Sequence, residues 1–501
     1  MRCAGCAPLE RTPKKESITM TQIAPYWQNY IDGKFVDGSN GRLAVEDPAS
    51  GEVIAEQAMA DAGDVDVAVK AAKRCHESNV LTDMRPVERG RLVRQIGDYL
   101  IDNLQGIADV LCLEMGKPHW EACNEVRGAA RYFEYYGNQA ETLEGRSIPL
   151  GRNYFDFTVL EPYGVSAQII PWNFPLEIAS RSLAAGLATG NACVIKPPEL
   201  TPLSSGYLAK AVQAIGLPDG AANILCGFGP VAGAALASHH QINQMVFTGS
   251  VPTGASIAAA AAQNIVPCVL ELGGKSAAIV YDDADVETVV ASVRRGIFYN
   301  AGQICSALSR LIVHESIHDE VVEKVSELAK SITVAPGIEH QQPGLNMGAM
   351  VSEKQRDRAL DMCQEAQAQG AVVATGAHKP NRPGYFLEPT VFTNVRPDMT
   401  IAQEEVFGPV LSVMSFSNED DAISIANGTQ YGLVGGVFTK DLDHATSTAR
   451  QLRAGQVFVN EWFAGGVETP FGGYGKSGYG REKGREALLN YVQTKNIAIA
   501  I

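Results

Sequence analysis

The sequence predicts an α/β protein with two parallel-sheet α/β domains and an added β-arm. Three features point there. From about Gly164 to Val280, short β-rich runs alternate with helix-period segments at strand spacings of roughly 20–30 residues. A second series of this kind runs from Lys275 to Phe471. Two further stretches, Glu144 to Glu161 and Asn490 to Ile501, alternate with little helical character and look unable to fold alone.

The first series can be read in order. Val165 to Ile170 is a buried strand, and Pro171 and Pro175 punctuate the segment after it. Ala192 to Ile195 is the next, ended by Lys196-Pro197-Pro198, and a helix comes after it with Leu208, Val212 and Ile215 on one face. Asn223 to Cys226, Met245 to Phe247 and Val266 to Leu272 complete the set. In such sheets ligands bind outside the carboxyl ends of the strands, which places Trp172, Lys196, Gly229 and Gly249 along one rim. The second series has strands at Ala277–Tyr281, Leu311–Val313, Val410–Phe416, Val434–Phe438 and Val457–Val459. The two alternating stretches suit an arm that adds strands to a neighbouring subunit.

Composition narrows the function classes. A chain of 501 residues is long for a single core, and 46% apolar with 19% charged residues is ordinary for a globular protein. No apolar run reaches the roughly 18–20 residues that span a bilayer, so no membrane partner is expected. A formal net charge of −15, with no basic stripe, speaks against nucleic acid. Ten cysteines are too dilute for a disulfide framework, and Cys193 and Cys268 sit in apolar settings. A reducing, cytoplasmic compartment fits this usage. Residues 1–21 read as a flexible leader without a secretory core. Its Cys3 and Cys6 form a lone CxxC with no partner motif at zinc-finger spacing, and Met20 offers an alternative start. No metal site is expected.

Three residues draw attention as chemistry. Cys305, in Asn300-Ala-Gly-Gln-Ile-Cys305-Ser306, comes after small and flexible residues that leave its sulfur reachable. A free thiol of pKa about 8.5 is only a few per cent thiolate near neutral pH, so it needs a base or a field to act. Glu271 ends an apolar strand, where desolvation raises a carboxyl toward a working general base; capping the strand end or pairing with Lys275 is the alternative. Asn173, between two aromatics and two prolines, suits a preorganised oxyanion donor or simply a turn-forming asparagine.

Order and co-occurrence decide among these readings. Pro171-Trp-Asn-Phe-Pro175, Lys196-Pro-Pro-Glu199, Phe247-Thr-Gly-Ser250, Glu271-Leu-Gly-Gly-Lys275, the Cys305 motif, Glu404-Glu-Val-Phe-Gly-Pro-Val410 and the run from Pro470 to Glu482 together resemble the aldehyde dehydrogenase superfamily of the hydrolytic, NAD(P)-dependent type. The resemblance runs from about Trp27 to the C-terminus. It implies a Rossmann-like NAD-binding domain at 22–143 and 162–274, a catalytic domain at 275–471, and an oligomerisation arm at 144–161 and 484–501 of a homodimer or homotetramer.

The resemblance also implies roles. Cys305 attacks the aldehyde carbon, Asn173 and the Cys305 backbone N–H hold the oxyanion, hydride passes to the nicotinamide, and Glu271 activates the water that hydrolyses the thioester. Lys196 and Glu199 match the pair on the adenosine ribose, and Gly249 and Ser250 the pyrophosphate loop, here without a GxGxxG. Glu405 matches the residue on the nicotinamide ribose, and Phe407 the one near the ring. Ile169, Trp172, Gly229, Gly254 and Leu272 complete the cofactor set. Glu199 favours NAD over NADP, since a carboxylate repels a 2′-phosphate.

For the substrate, Phe174, Arg181, Trp462 and Glu468 are the candidates. Arg181 stands where semialdehyde-acid relatives carry arginine and suits a carboxylate clamp; an ion pair with Glu177, four residues earlier, is its structural alternative. Glu468 and Trp462 at the entrance suit an aromatic or cationic aldehyde. Readings outside this set are a CoA-acylating relative, a Cys–Glu–Lys hydrolase of nitrilase type, and a non-catalytic protein on the same fold. The first lacks a general-base glutamate, and the second has no use for the cofactor residues.

Overall fold

Val165–Ile169 and Ala192–Lys196 are buried at every position, as strands covered by helices on both faces must be. A computed structural model describes residues 23–501; the expected leader, with Cys3 and Cys6, lies outside them. The two strands sit in the middle of an eight-stranded sheet whose parallel part runs Cys268–Leu272, Gln244–Gly249, Val165–Ile169, Ala192–Lys196, Ala222–Ile224. The earliest of these five in the chain is central. The chain therefore winds outward one way, crosses back, and winds the other way. That reversal opens a crevice between the ends of Val165–Ile169 and Gln244–Gly249, the place where such sheets take ligands.

The crossovers are the expected helices, Pro175–Ala188, Ser205–Ala214 and Val251–Gln263, with a shorter turn at Gly229–Gly233 and Ala234–Ala237. Ser250 caps the third, its Oγ accepting from Thr253 N at 3.4 Å. Short antiparallel strands, Asn29–Ile31 with Lys34–Val36 and Gly478–Tyr479, finish the two edges. The last pairs with Leu270 and Glu271, so the C-terminal part of the chain returns to the first sheet right beside the expected base.

A second sheet runs Val372–Thr375, Thr390–Thr393, Val410–Phe416, Arg310–His314, Ala277–Val280, Val434–Phe438, Gln456–Val459. All five strands expected from the sequence are in it; the first two were not foreseen. Both are only four residues long, too short to show a period. The segment carrying Cys305 leads directly into the central Arg310–His314 strand. Tyr154–Pro162 and Val492–Ala500 pair antiparallel over nine residues as a two-stranded ribbon of their own. Among the described residues, no helix is long and apolar enough to cross a membrane.

Candidate active site

Asn173 is positioned from its backbone outward. The Asn173 carbonyl accepts from Lys117 Nζ at 3.1 Å and from Asn300 Nδ2 at 3.0 Å, while its own Nδ2 donates to the Gln303 carbonyl at 2.9 Å. Lys117 is in turn paired with Glu125 at 2.6 Å, both side chains almost wholly buried. The other oxygen of Glu125 accepts from the backbone N–H groups of Leu176 and Glu177. A carboxylate there meets the positive end of the Pro175–Ala188 helix. One carboxylate thus fixes the helix start, the lysine and, through it, the asparagine.

The Cys305 loop is held under backbone strain. Asn300, Ala301 and Gly302 take φ of +50°, +50° and +70° in succession, a left-handed run that non-glycine residues enter only when the surroundings hold them there. The surroundings are polar and specific: Asn300 N donates to Glu121 Oε2 at 2.9 Å, Gln303 Nε2 donates to the Asn300 carbonyl at 3.0 Å, and Gln303 Oε1 accepts from Val351 N at 2.9 Å. The loop delivers Cys305 half-buried into a cavity of about 700 Å³ lined also by Asn173, Phe174, Arg181 and Glu271.

Glu271 has neither carboxylate oxygen hydrogen-bonded among the described residues. Burial pushes it up to about 7 against the opposing charge of Arg181. Burial, reinforced by the charge of Glu271, also lifts the Cys305 thiol well above its ordinary value. The resting pair is therefore a protonated thiol beside a carboxyl poised near neutrality, the arrangement a general base needs.

The cofactor candidates line the other side, at the sheet crevice. Lys196 Nζ donates to Glu199 Oε2 at 2.9 Å, and Glu199 Oε1 faces Gly229 N at 3.4 Å. Burial works to raise Glu199, but Lys196 outweighs it and holds the carboxyl below its ordinary range. A Cβ at Gly254 would lie 2.5 Å from Leu272 Cδ2, so glycine lets the Ser250-capped helix close onto the strand. Ile169 and Gly249 end the strands on either side of the crevice. Trp172 and Phe407 meet edge to face at 5.2 Å. Glu405 Oε1 accepts from Gly274 N at 3.1 Å, and burial lifts its carboxyl to about 7. An ionised carboxylate at Glu199, a glycine before a capped helix and a second carboxylate beside Gly274 fit an extended dinucleotide.

Three substrate expectations change. Arg181 does not pair with Glu177. It forms an ion pair with Glu482, and its Nη2 also donates to Thr248 Oγ1 at 3.3 Å. A guanidinium already neutralised by a buried carboxylate is not available as a free clamp. Trp462 does not line the cavity: it is 1% exposed, with its Nε1 donating to the Ser306 carbonyl at 3.1 Å. Glu468 is exposed and folds over Gly466, whereas Phe463, Ala464, Gly465, Val467 and Thr469 of the same loop form the wall. Phe174 does line it, stacked on Tyr299 at 6.4 Å.

Sequence reasoning missed Lys117, Glu121, Glu125, Glu482 and Lys483. A usable signal was present in Glu121 and Glu125, four apart in a helix and therefore on one face, among alanines that had to be buried.

Known proteins share this fold. Residues 35–497 match the model of the aldehyde dehydrogenase family. The chain is 41% identical to aldehyde dehydrogenase family 2 member B4, mitochondrial, of Arabidopsis thaliana, over 97% of this chain and 90% of that one. It is 40% identical to human retinal dehydrogenase 2, over 95% and 92%. The NAD+ complex of an aldehyde dehydrogenase from Bacillus cereus superposes with a TM-score of 0.93 at 39% identity, covering 95% of this chain and 97% of that one. Betaine aldehyde dehydrogenase from Staphylococcus aureus with NAD+ gives 0.92 at 36%, covering 94% of each. This chain belongs to the aldehyde dehydrogenase family and is an NAD-dependent oxidoreductase that converts aldehydes to carboxylic acids.

Proposed function

We propose that Cys305, Glu271 and Asn173 carry this oxidation. The observation behind the assignment is that a thiol, a carboxyl with neither oxygen hydrogen-bonded among the described residues and a fixed amide share one cavity. Glu271 takes the Cys305 proton as sulfur bonds to the aldehyde carbon, and the carbonyl oxygen becomes an alkoxide. The Asn173 Nδ2–H and the Cys305 N–H stabilise that oxygen, an effect of about 3–4 kcal/mol per donor. When bound, NAD supplies the hydride acceptor that turns the thiohemiacetal into a thioester. Glu271 passes the first proton to solvent and, ionised again, draws a proton from the water that adds to the thioester carbon; as the acid leaves, that proton returns to the Cys305 sulfur and restores the thiol.

Lys196 and Glu199 would hold the adenosine ribose, Gly249, Ser250 and Gly254 the diphosphate, and Glu405 the nicotinamide ribose. Ile169, Trp172, Gly229, Leu272 and Phe407 would pack beside them. The ionised Glu199 supports NAD over NADP. NADH formation with and without CoA tests the hydrolytic reading; a rate that depends on CoA would replace it by acyl transfer to CoA.

The ribbon of Tyr154–Pro162 and Val492–Ala500 serves subunit association in a dimer or tetramer. Two strands alone are marginal in water, and this pair exposes Phe155 at 62% and Ile499 at 46%. Sedimentation of a chain truncated before Val492 checks it. All eight cysteines among the described residues are free, which supports a reducing compartment such as the cytoplasm.

A further inference from the structure

Lys483 stands in the wall of the catalytic cavity with no ion-pair partner among the described residues. Its Nζ has no hydrogen bond or ion pair with any described residue; its neighbour is the Phe471 ring, 5.1 Å away. The backbone around it is pinned: Phe471 and Glu482 exchange backbone hydrogen bonds at 2.6 Å, and Gly484 N donates to the Val467 carbonyl at 2.7 Å. Between these anchors Lys483 takes φ +59°, a left-handed conformation that a lysine adopts only when its surroundings hold it there. Fixed neighbours on both sides therefore hold the side chain against the cavity.

The other charges in this wall do not neutralise it by contact. Arg181 is committed to Glu482. Glu271 lies at the reacting sulfur. Glu177 also faces the cavity and is the acid whose charge acts most on Lys483, but the two are not within ion-pair distance, and burial raises the Glu177 carboxyl toward the neutral form. Burying an unpaired ammonium is costly, and the cost falls when an anion sits beside it.

We infer that Lys483 is a specificity-determining residue that anchors an anionic group, a carboxylate or phenolate, on the aldehyde while Cys305 takes the carbonyl. The inference rests on the assignment of Cys305 as nucleophile. It moves the anion-recognising role expected of Arg181 to a different part of the chain, the turn after Glu482.

The test compares 4-formylbenzoate with its methyl ester, which differ in charge and little in shape. In Lys483→Met the ratio of kcat/KM for acid over ester should fall on the order of 10- to 100-fold, mainly through KM for the acid. Lys483→Arg should keep most of the ratio. A ratio unchanged in Lys483→Met overturns the inference. Terephthalate inhibition gives a second readout: it should compete with the ester in the parent enzyme and weaken in Lys483→Met, and equal inhibition of both enzymes overturns the inference independently of folding yield. If the parent enzyme retains activity toward the ester after Cys305→Ala, the nucleophile assignment fails instead.

Discussion

Arg181 and Glu482 are an ion pair with side chains only 7% and 6% exposed. They join the Pro175–Ala188 helix to the turn after Gly478–Tyr479, so the pair ties the catalytic cavity to the returning C-terminal segment. Removing one member leaves a buried charge uncompensated, a loss of about 3–5 kcal/mol. Glu482→Gln and Arg181→Met should each lower the unfolding temperature. The double variant Arg181→Met/Glu482→Met should recover most of it. Each single change should lower kcat/KM alike for anionic and neutral aldehydes, which separates Arg181 from a substrate clamp.

Glu271 sets a pH dependence of known sign. With its carboxyl at about 7 in the folded protein, the base is ionised only above that, so the rate of thioester hydrolysis should climb between about pH 6 and pH 8. The same shift opposes stability. The folded protein holds this proton more tightly than the unfolded chain, whose glutamate titrates near 4.3, so stability is lost as pH rises from about 4.3 to about 7. Glu271→Gln should therefore be the more heat-stable protein above neutral pH. It should also lose on the order of 10²–10⁴-fold in turnover and accumulate an acyl-Cys305 adduct visible by intact mass.

Strand positions were legible because burial on both faces leaves apolar runs such as Val434–Phe438, and motif order marked Cys305, Glu271 and Asn173. The supporting shell was not. Lys117, Glu121 and Glu125 act through contacts with residues more than fifty positions away, which no local pattern encodes. Arg181 failed for the same reason: its nearest acid in sequence is Glu177, but the fold offers Glu482, some three hundred residues on. Trp462 read as an entrance aromatic because loop position says nothing about which way a ring turns. Its indole is spent on the Ser306 carbonyl.

Cofactor choice should depend on Glu199. Its Oε2 is held by Lys196 at 2.9 Å, and its Oε1 faces Gly229 N at 3.4 Å. In its proposed role it would meet a ribose 2′-OH as an acceptor and a 2′-phosphate as a like charge. Glu199→Ser removes the repulsion and frees Lys196 to face a phosphate. The ratio of kcat/KM for NADP over NAD should rise at least about tenfold, equivalent to roughly 1.4 kcal/mol. An unchanged ratio would remove Glu199 as the discriminating group.

Gly302 is the position where the Cys305 loop has least room to adapt. Its φ is +70°, and an added Cβ would lie 2.2 Å from the Gly408 carbonyl oxygen, 2.4 Å from its carbon and 2.7 Å from Pro409 N. All three obstacles are backbone, so no rotamer change relieves them. The loop itself must move. Asn300 and Ala301 are already in the left-handed region, and Gln303 carries the carbonyl that receives the Asn173 amide. A shift here therefore displaces the sulfur and the Asn173 amide, the proposed oxyanion donor, together. A misplacement of about 1 Å costs on the order of 10²-fold in rate. Gly302→Ala should lose at least that in kcat, with alkylation of Cys305 by iodoacetamide slowed or misdirected to other thiols. If Gly302→Ala turned over normally, the backbone of the Gly408 segment would have to be far more yielding than its buried surroundings imply.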